Sequence, residues 1–207
     1  YEYTDGTEPA EGGGTQPPGL LERRSKADGG TAATYSYTSA GDLAKVTDAA
    51  GKVITYGHDA LGRVTSATET TDAHPGGVTT TYAYDTRGRV VRITGPGVKN
   101  QVTNVTHTAE TRYTYDADGN RLTEKTADLT GGDPERTTTY TYNAHGLLET
   151  VTGPEGGRQT YGYDDTGART SLTDERGTQY TFAYTPRGEL ATRTLKDWTG
   201  NPNDPSP

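Results

Sequence analysis

The sequence predicts an all-β fold built from repeated antiparallel hairpins. Pairs of tyrosines recur along the chain at a regular spacing, and no stretch shows the apolar period of a helix. Composition supports this prediction, because only 29% of the 207 residues are hydrophobic while 15 are tyrosine and many others are threonine. Both residue types favour strands. A conventional leucine and isoleucine core is therefore excluded, and amphipathic side chains must supply the apolar contacts.

Seven segments of the chain share one pattern, in which two tyrosines separated by one residue are followed by a glycine. The shortest steps between these glycines are 21 residues, and longer steps in the middle of the chain carry insertions. His58 replaces the second tyrosine of one pair, and Phe182 replaces the first tyrosine of another. Such periodicity predicts a repeat architecture. The repeat residues are Tyr35, Tyr37, Gly41, Tyr56, Gly62, Tyr82, Tyr84, Gly88, Tyr113, Tyr115, Gly119, Tyr140, Tyr142, Gly146, Tyr161, Tyr163, Gly167, Tyr184 and Gly188.

Each segment is typical of a hairpin. Alternate residues of a strand share a face, so both tyrosines of a pair point to the same side. Aspartates such as Asp85, Asp116 and Asp164 can bond to the turn backbone, and the glycine supplies a positive φ. We expect the second tyrosines of successive hairpins to contact one another. The insertions at residues 69–77, 98–110 and 128–136 are expected to form surface loops.

The chain divides into three parts on this pattern. Residues 1–33 are a degenerate first repeat with a Gly/Pro-rich insertion, in which residues 1–5 form the first strand and residues 6–18 an enlarged tip. Residues 34–195 hold the seven repeats. Residues 196–207 are a tail or junction rich in Pro, Asn and Asp. Trp198 in this tail is expected to pack across a junction with whatever covers the last strand.

The segment from Tyr113 to Leu122 reads Y-T-Y-D-A-D-G-N-R-L and resembles the YD repeat of the Rhs family, which occurs in bacterial Rhs and Tc-type toxins, wall-associated proteins and teneurins. Residues 82–90 and 161–172 resemble it closely as well. The departures are His58 and Phe182 in tyrosine positions, and Thr38 and Thr185 in the aspartate position. The resemblance implies a continuous, spiralling antiparallel sheet. In the bacterial toxins such a sheet encloses a C-terminal toxic domain.

No catalytic, cofactor-binding or metal-binding residue is predicted. The net charge of -8 argues against nucleic-acid binding, the short apolar runs exclude insertion into a membrane, and the absence of cysteine excludes thiolate chemistry. Residues 116–120 have the alternating oxygen ligands of a calcium loop, but position 12 of that pattern is Ala127 rather than glutamate. Asp204-Pro205 lacks the Gly-Leu that the self-cleaving segment of the resembled toxins carries. The four histidines are scattered.

We therefore predict that the chain is not an enzyme. It is expected to be a structural YD-repeat segment of a secreted or cell-surface Rhs-like protein that forms a β-sheet shell or scaffold. Its partners would be the rest of a larger parent shell or identical copies, joined through open sheet edges. Two alternatives remain open. One is the subunit of a self-assembling extracellular filament, and the other is a carbohydrate-binding adhesin segment in which tyrosine rings stack on sugars.

Overall fold

The computed structural model describes residues 1–196, which form sixteen β-strands and no helix. The all-β hairpin fold predicted from the sequence is confirmed. Trp198 and the tail expected to pack across a junction lie outside the described residues. The strands are β1 (Glu2–Tyr3), β2 (Leu21–Ser25), β3 (Thr31–Tyr37), β4 (Leu43–Asp48), β5 (Val53–His58), β6 (Val64–Thr71), β7 (His74–Tyr84), β8 (Val90–Lys99), β9 (Thr106–Tyr115), β10 (Arg121–Asp128), β11 (Arg136–Tyr142), β12 (Leu148–Thr152), β13 (Arg158–Tyr163), β14 (Arg169–Thr173), β15 (Gln179–Tyr184) and β16 (Leu190–Lys196).

The chain forms two compact units. The first consists of Tyr1–Glu110 with Asp128–Gly131, and the second consists of Thr111–Ala127 with the residues from Gly132 onward. Within the first unit, β1 to β8 pair antiparallel in chain order. Within the second unit, β10 to β16 do the same. The three-part division expected from the sequence stays a prediction.

Each repeat is a hairpin with a bulged tip. In the hairpin of β7 and β8, the Asp85 amide donates to the Arg89 carbonyl at 2.9 Å and the Gly88 amide donates to the Asp85 carbonyl at 3.0 Å. The strand register shifts by one residue between Ala83 and Tyr84. The same shift precedes the second tyrosine, or His58, in five other hairpins. A glycine at positive φ beside a one-residue bulge is the expected geometry of such a tip.

The Gly/Pro-rich stretch near the N-terminus joins β1 to β2. The hydroxyl of the buried Thr4 donates to the Pro17 carbonyl at 2.6 Å. Gln16, also buried, accepts a hydrogen bond from the Tyr37 amide at 3.1 Å. The Glu11 amide donates to the Tyr37 carbonyl at 3.0 Å. The loop thus satisfies both backbone groups that the bulge at the end of β3 leaves outside the strand ladder.

The expectation that all three insertions form surface loops is only partly correct. Residues 69–77 lengthen β6 and β7, because Glu69 pairs with Val78 and Thr71 pairs with His74. The chain leaves the strands there only at residues 72–73. Residues 98–110 contribute to β8 and β9, with a loop at residues 100–105. Residues 129–135 do form a loop between β10 and β11. Continued backbone pairing stabilises the longer strands more than a solvated loop would.

The two faces of the hairpins differ in chemistry. On one face the first tyrosine of several hairpins lies opposite an aliphatic residue, in the pairs Tyr35–Val46, Tyr82–Ile93, Tyr140–Val151 and Tyr161–Leu172. Threonines on the other face bond to each other, as in Thr114–Thr123 at 2.7 Å. Among residues 1–196, Ala33 and Ala44 are the only buried hydrophobic residues. The apolar contacts are therefore made by partly buried rings rather than by an enclosed core.

Candidate functional site

The second tyrosines of the hairpins form the most regular set of side-chain interactions in the chain. In five hairpins the hydroxyl donates to a backbone carbonyl in the preceding hairpin, at distances from 2.6 to 3.0 Å. We call this contact the hydroxyl junction. The bonds run from Tyr37 to Leu21, Tyr84 to Val64, Tyr142 to Arg121, Tyr163 to Leu148 and Tyr184 to Arg169.

The acceptor of the hydroxyl junction has a fixed place in the repeat. It is always the second residue after the glycine at the tip of the preceding hairpin. Burial raises the pKa of the hydroxyls of Tyr37, Tyr142 and Tyr163 above the ordinary value, because burial disfavours the phenolate. A protonated hydroxyl is the form that can donate. The sequence analysis placed these tyrosines in a row but did not predict the backbone acceptor, and ring-to-ring contact between them stays a prediction.

His58 occupies the same position in the hairpin of β5 and β6. The equivalent acceptor would be the Leu43 carbonyl, two residues after Gly41. Among residues 1–196, no hydrogen bond joins the His58 ring to that carbonyl. His58 therefore lacks the hydrogen bond to a carbonyl of the preceding hairpin that tyrosine makes at this position in five other hairpins.

Arginine side chains lie over the rings of the first tyrosines. The Arg121 guanidinium is 5.5 Å from the centre of the Tyr113 ring in its own hairpin and 4.7 Å from that of Tyr140 in the next. Arg169 is 6.0 Å from the Tyr161 ring and 4.7 Å from the Phe182 ring. A guanidinium over a ring face within about 6 Å is a cation–π contact. Each of these arginines therefore links two successive hairpins.

The sequence analysis missed these arginines, although a signal was present. Arg121 and Arg169 both stand two residues after a tip glycine. Each also offers its own carbonyl to the tyrosine hydroxyl of the next hairpin. The Arg121 side chain additionally donates to the Tyr140 hydroxyl at 3.1 Å. One residue thus contacts both tyrosines of the neighbouring hairpin, through its side chain and through its backbone.

The turn aspartates hold the hairpin tips. Oδ1 of Asp85 accepts hydrogen bonds from the amides of Arg87 and Arg89, both at 2.9 Å. Asp116 and Asp164 accept from the amides two and four residues ahead in the same way. The side chains of Asn120 and Thr166 also donate to Asp116 and Asp164. These side-chain bonds and the amide bonds hold the pKa of each carboxyl below its ordinary value, because they favour the charged form. Oδ2 of Asp85 also pairs with Arg89 at 2.7 Å.

The tip glycines require a backbone conformation that other residues rarely adopt. Gly146 has a φ of +73° and Gly119 a φ of +98°. The remaining tip glycines of the pattern also have positive φ, and they are Gly41, Gly62, Gly88, Gly167 and Gly188. All twelve tyrosines of the repeat pairs are partly buried. The pattern residues therefore lie at turns and on one half-buried face, where they can position hairpins.

Asp128 and His107 are a pair of titratable groups away from the tips of the tyrosine hairpins. In the first unit, Asp128 accepts from the Thr130 hydroxyl and lies 2.5 Å from Nδ1 of His107, and both contacts hold the pKa of its carboxyl well below the ordinary value. Within residues 1–196, no group of three or more His, Asp or Glu residues could hold a metal ion. None of these residues forms a helix long and apolar enough to span a membrane.

A shallow groove of about 390 Å³ lies on the tyrosine face of the first unit. Its lining includes Ile54, Tyr56, Val78 and Tyr82, with Glu69 as its charged group. The Glu69 carboxylate is 2.7 Å from the Lys52 ammonium. The groove therefore offers two aromatic side chains and one paired carboxylate.

Comparison with known proteins identifies the repeat. The family model for the RHS Repeat matches residues 37–74 and 142–179. No protein of curated function matches the sequence.

Two solved structures share the fold. The crystal structure of TcdB2-TccC3-Cdc42 superposes with a TM-score of 0.62 at 17% identity, over 89% of this chain and 10% of that one. That of TcdB2-TccC3 without its hypervariable C-terminal region gives 0.50 at 14% identity, over 89% of this chain and 11% of that one. This chain therefore spans about a tenth of their length. The chain therefore carries two segments that match the RHS Repeat, and the hairpins of these segments share the register and tip glycines of the other hairpins in the chain.

Proposed function

We propose that this chain is a non-catalytic structural segment of a larger, secreted or cell-surface Rhs-like protein, in which its hairpins form part of a β-sheet shell or scaffold. The observation that carries the proposal is the recurring hydroxyl junction. The same contact joins hairpins at five places in the described residues, and each time it connects neighbours in the chain. Interactions of this kind build an extended wall rather than enclose a reaction site.

The energetics of such a wall follow from nearest neighbours. The net contribution of a hydrogen bond to stability is about 0.5–1.5 kcal/mol, and that of a cation–π contact at an exposed site is about 0.5–1 kcal/mol. A hairpin that makes these contacts adds them to the backbone ladder that it shares with its neighbour. The stability of a repeat sheet is then approximately a sum of local terms. A long sheet can therefore be stable without a second layer of packed elements.

The partners proposed for this segment are further parts of the same shell. The similarity to TcdB2-TccC3 chains about ten times longer supports a large parent protein. A sheet of hairpins can be extended at both edges by backbone hydrogen bonds. Location outside the cell is part of the proposal and rests on the resemblance to Tc-type toxins.

Electron cryo-microscopy of the longest natural polypeptide that contains this sequence tests the proposal. We expect a hollow particle in whose wall the residues 1–196 appear as consecutive hairpins with the tyrosine spacing described above. Resolution near 3 Å would show the tyrosine hydroxyls at their carbonyl acceptors. A compact particle without a cavity, or these hairpins in a separate appended domain, would contradict the shell.

The filament and adhesin alternatives each rest on one observation. The exposed last strand, β16, favours self-association, and the groove with Tyr56 and Tyr82 favours sugar binding. Sedimentation velocity across a hundredfold concentration range tests the first, since a filament subunit must grow in size with concentration. A glycan array with the natural chain and Tyr56→Ala tests the second, because loss of one ring should abolish a genuine signal.

A further inference from the structure

The loop between β8 and β9 presents a glutamine, Gln101, to solvent. The side chain of Asn100 holds this loop, because its Oδ1 accepts hydrogen bonds from the amides of Val102 and Thr103 at 2.9 and 3.1 Å. The Asn104 amide closes the loop by donating to the Asn100 carbonyl at 2.9 Å. Gln101 is exposed and lies outside both strands. Among residues 1–196, its carboxamide has no hydrogen-bond partner.

The other three glutamines of the chain are held in place. Gln16 is buried, and both ends of its carboxamide are bonded. Gln159 donates to the Glu175 carboxylate at 3.1 Å and accepts from the Tyr161 hydroxyl at 2.7 Å. Gln179 is exposed, but it lies within β15, whose backbone pairs with β14 on one side and β16 on the other. The loop glutamine alone combines an unbonded carboxamide with a backbone outside the sheet in the described part of the chain.

A glutamine carboxamide of this kind can act as an acyl donor. When an enzyme thiolate attacks the carboxamide carbon, the C–N bond breaks, ammonia leaves and a thioester forms on the enzyme. A primary amine then attacks the thioester carbon, an isopeptide bond forms and the thiol is released. The two steps need no oxidant or reductant. Because the chain has no cysteine, the thiol must belong to a separate enzyme.

The surroundings of Gln101 favour such an attack. A carboxylate beside the glutamine would repel the approaching thiolate, but residues 95–109 include no Asp or Glu although the chain has a net charge of -8. Val102 is 89% exposed and offers an apolar side chain to the enzyme next to the reacting group. An enzyme cleft must also enclose the backbone on both sides of its target, and exposed loops allow this more readily than paired strands do.

We propose that Gln101 is a modification site, at which a thiol acyltransferase of the transglutaminase type joins this chain to a primary amine such as a lysine side chain of a neighbouring molecule. This inference goes beyond the proposed structural function, because it adds a covalent link to a wall held by non-covalent contacts. Disulfides cannot provide such a link in a chain without cysteine.

Labelling with a fluorescent amine tests the site. The folded natural chain is incubated with a microbial transglutaminase and dansylcadaverine, and is then digested with trypsin. The four glutamines fall into four different tryptic peptides, and residues 100–112 form the one that contains Gln101. Mass spectrometry measures the label in each peptide over time. We expect Gln101 to react roughly tenfold faster or more than any other glutamine, because the others must first be released by local opening.

Two substitutions serve as matched variants. Gln101→Asn keeps a carboxamide in the loop but shortens its reach by one methylene, so the label on residues 100–112 should be lost. Gln179→Asn changes the other exposed glutamine in the same way and should leave that label unchanged. The proposal would be overturned by a natural chain in which residues 100–112 stay unlabelled. Equal labelling rates at Gln101 and Gln179 would overturn it as well, because the loop would then confer no selectivity.

Discussion

Removing a single oxygen from the hydroxyl junction should measurably weaken the sheet. In Tyr84→Phe the ring keeps its position, but the hydrogen bond of 2.6 Å to the Val64 carbonyl is lost. Both residues are partly buried, so water replaces the lost donor incompletely. We expect the free energy of unfolding to fall by about 1 kcal/mol, within a range of about 0.5–1.5. For a chain of this length that corresponds to a decrease in Tm of about 2–4 °C.

The same hairpin offers a matched control. Tyr82 lies two residues earlier on the same face and is also partly buried. Among residues 1–196, its hydroxyl has no hydrogen-bond partner. Tyr82→Phe therefore removes the same atom from a similar environment without breaking a bond, and its unfolding free energy should stay within about 0.5 kcal/mol of that of the natural chain.

Urea unfolding followed by far-ultraviolet circular dichroism gives both free energies. Amide hydrogen exchange shows where in the sheet the stability is lost, because only Tyr84→Phe should loosen the backbone pairing between β6 and β7. Equal losses in the two variants would show that the hydroxyl is stabilising for a reason unrelated to its acceptor. No loss in Tyr84→Phe would refute the junction as a source of stability.

Three further predictions concern single positions of the repeat. His58→Tyr should raise the unfolding free energy by about 1 kcal/mol in urea titration, because it supplies a donor for the Leu43 carbonyl. Gly146→Ala should lower it by about 1 kcal/mol from backbone strain alone, since φ is +73° and an added Cβ would meet no atom within 4 Å. Asp116→Asn should keep the turn, as natural Asn143 does. The carboxyl of Asp116 has a lowered pKa, so its contribution is present above about pH 4 and is lost as pH falls through the folded value. Unfolding at pH 7 and at pH 2.5 should therefore show a smaller acid loss in the variant.

The hairpins could be predicted from the sequence because their determinants are local. A Tyr-x-Tyr strand, a capping aspartate and a glycine lie within seven residues, and each acts on its immediate backbone. Asp85 and Gly88 show this, since the carboxylate bonds two amides of its own turn and the glycine takes a φ of +82°.

The contacts between hairpins could not be predicted in the same way. A hydroxyl and its acceptor are 15 to 21 residues apart in the chain. The acceptor is a backbone carbonyl, which every residue type has, so the sequence does not show which residue accepts. The arginines over the rings, Arg121 and Arg169, do share a position in the sequence repeat. An arginine in a strand is equally compatible with a solvated position, however, so this position alone does not predict the ring contact. The strand extension through residues 69–77 depends on the pairing partner rather than on composition.

Tyrosine explains how hairpins with so little enclosed core remain folded. An aliphatic side chain at a half-exposed position gives only partial burial, whereas a tyrosine adds a directed bond at the end of its ring. In the first unit the Tyr84 ring crosses from its own hairpin to the Val64 carbonyl of the hairpin before it, and the Arg63 guanidinium lies 4.6 Å from that ring. The ring is thus held by the preceding hairpin through both its face and its hydroxyl. A hairpin in isolation would have neither contact, and two-stranded hairpins alone are marginal in water. Stability must therefore rise with the number of neighbours, which favours long sheets over short ones and makes an uncovered last strand the least stable part of the wall.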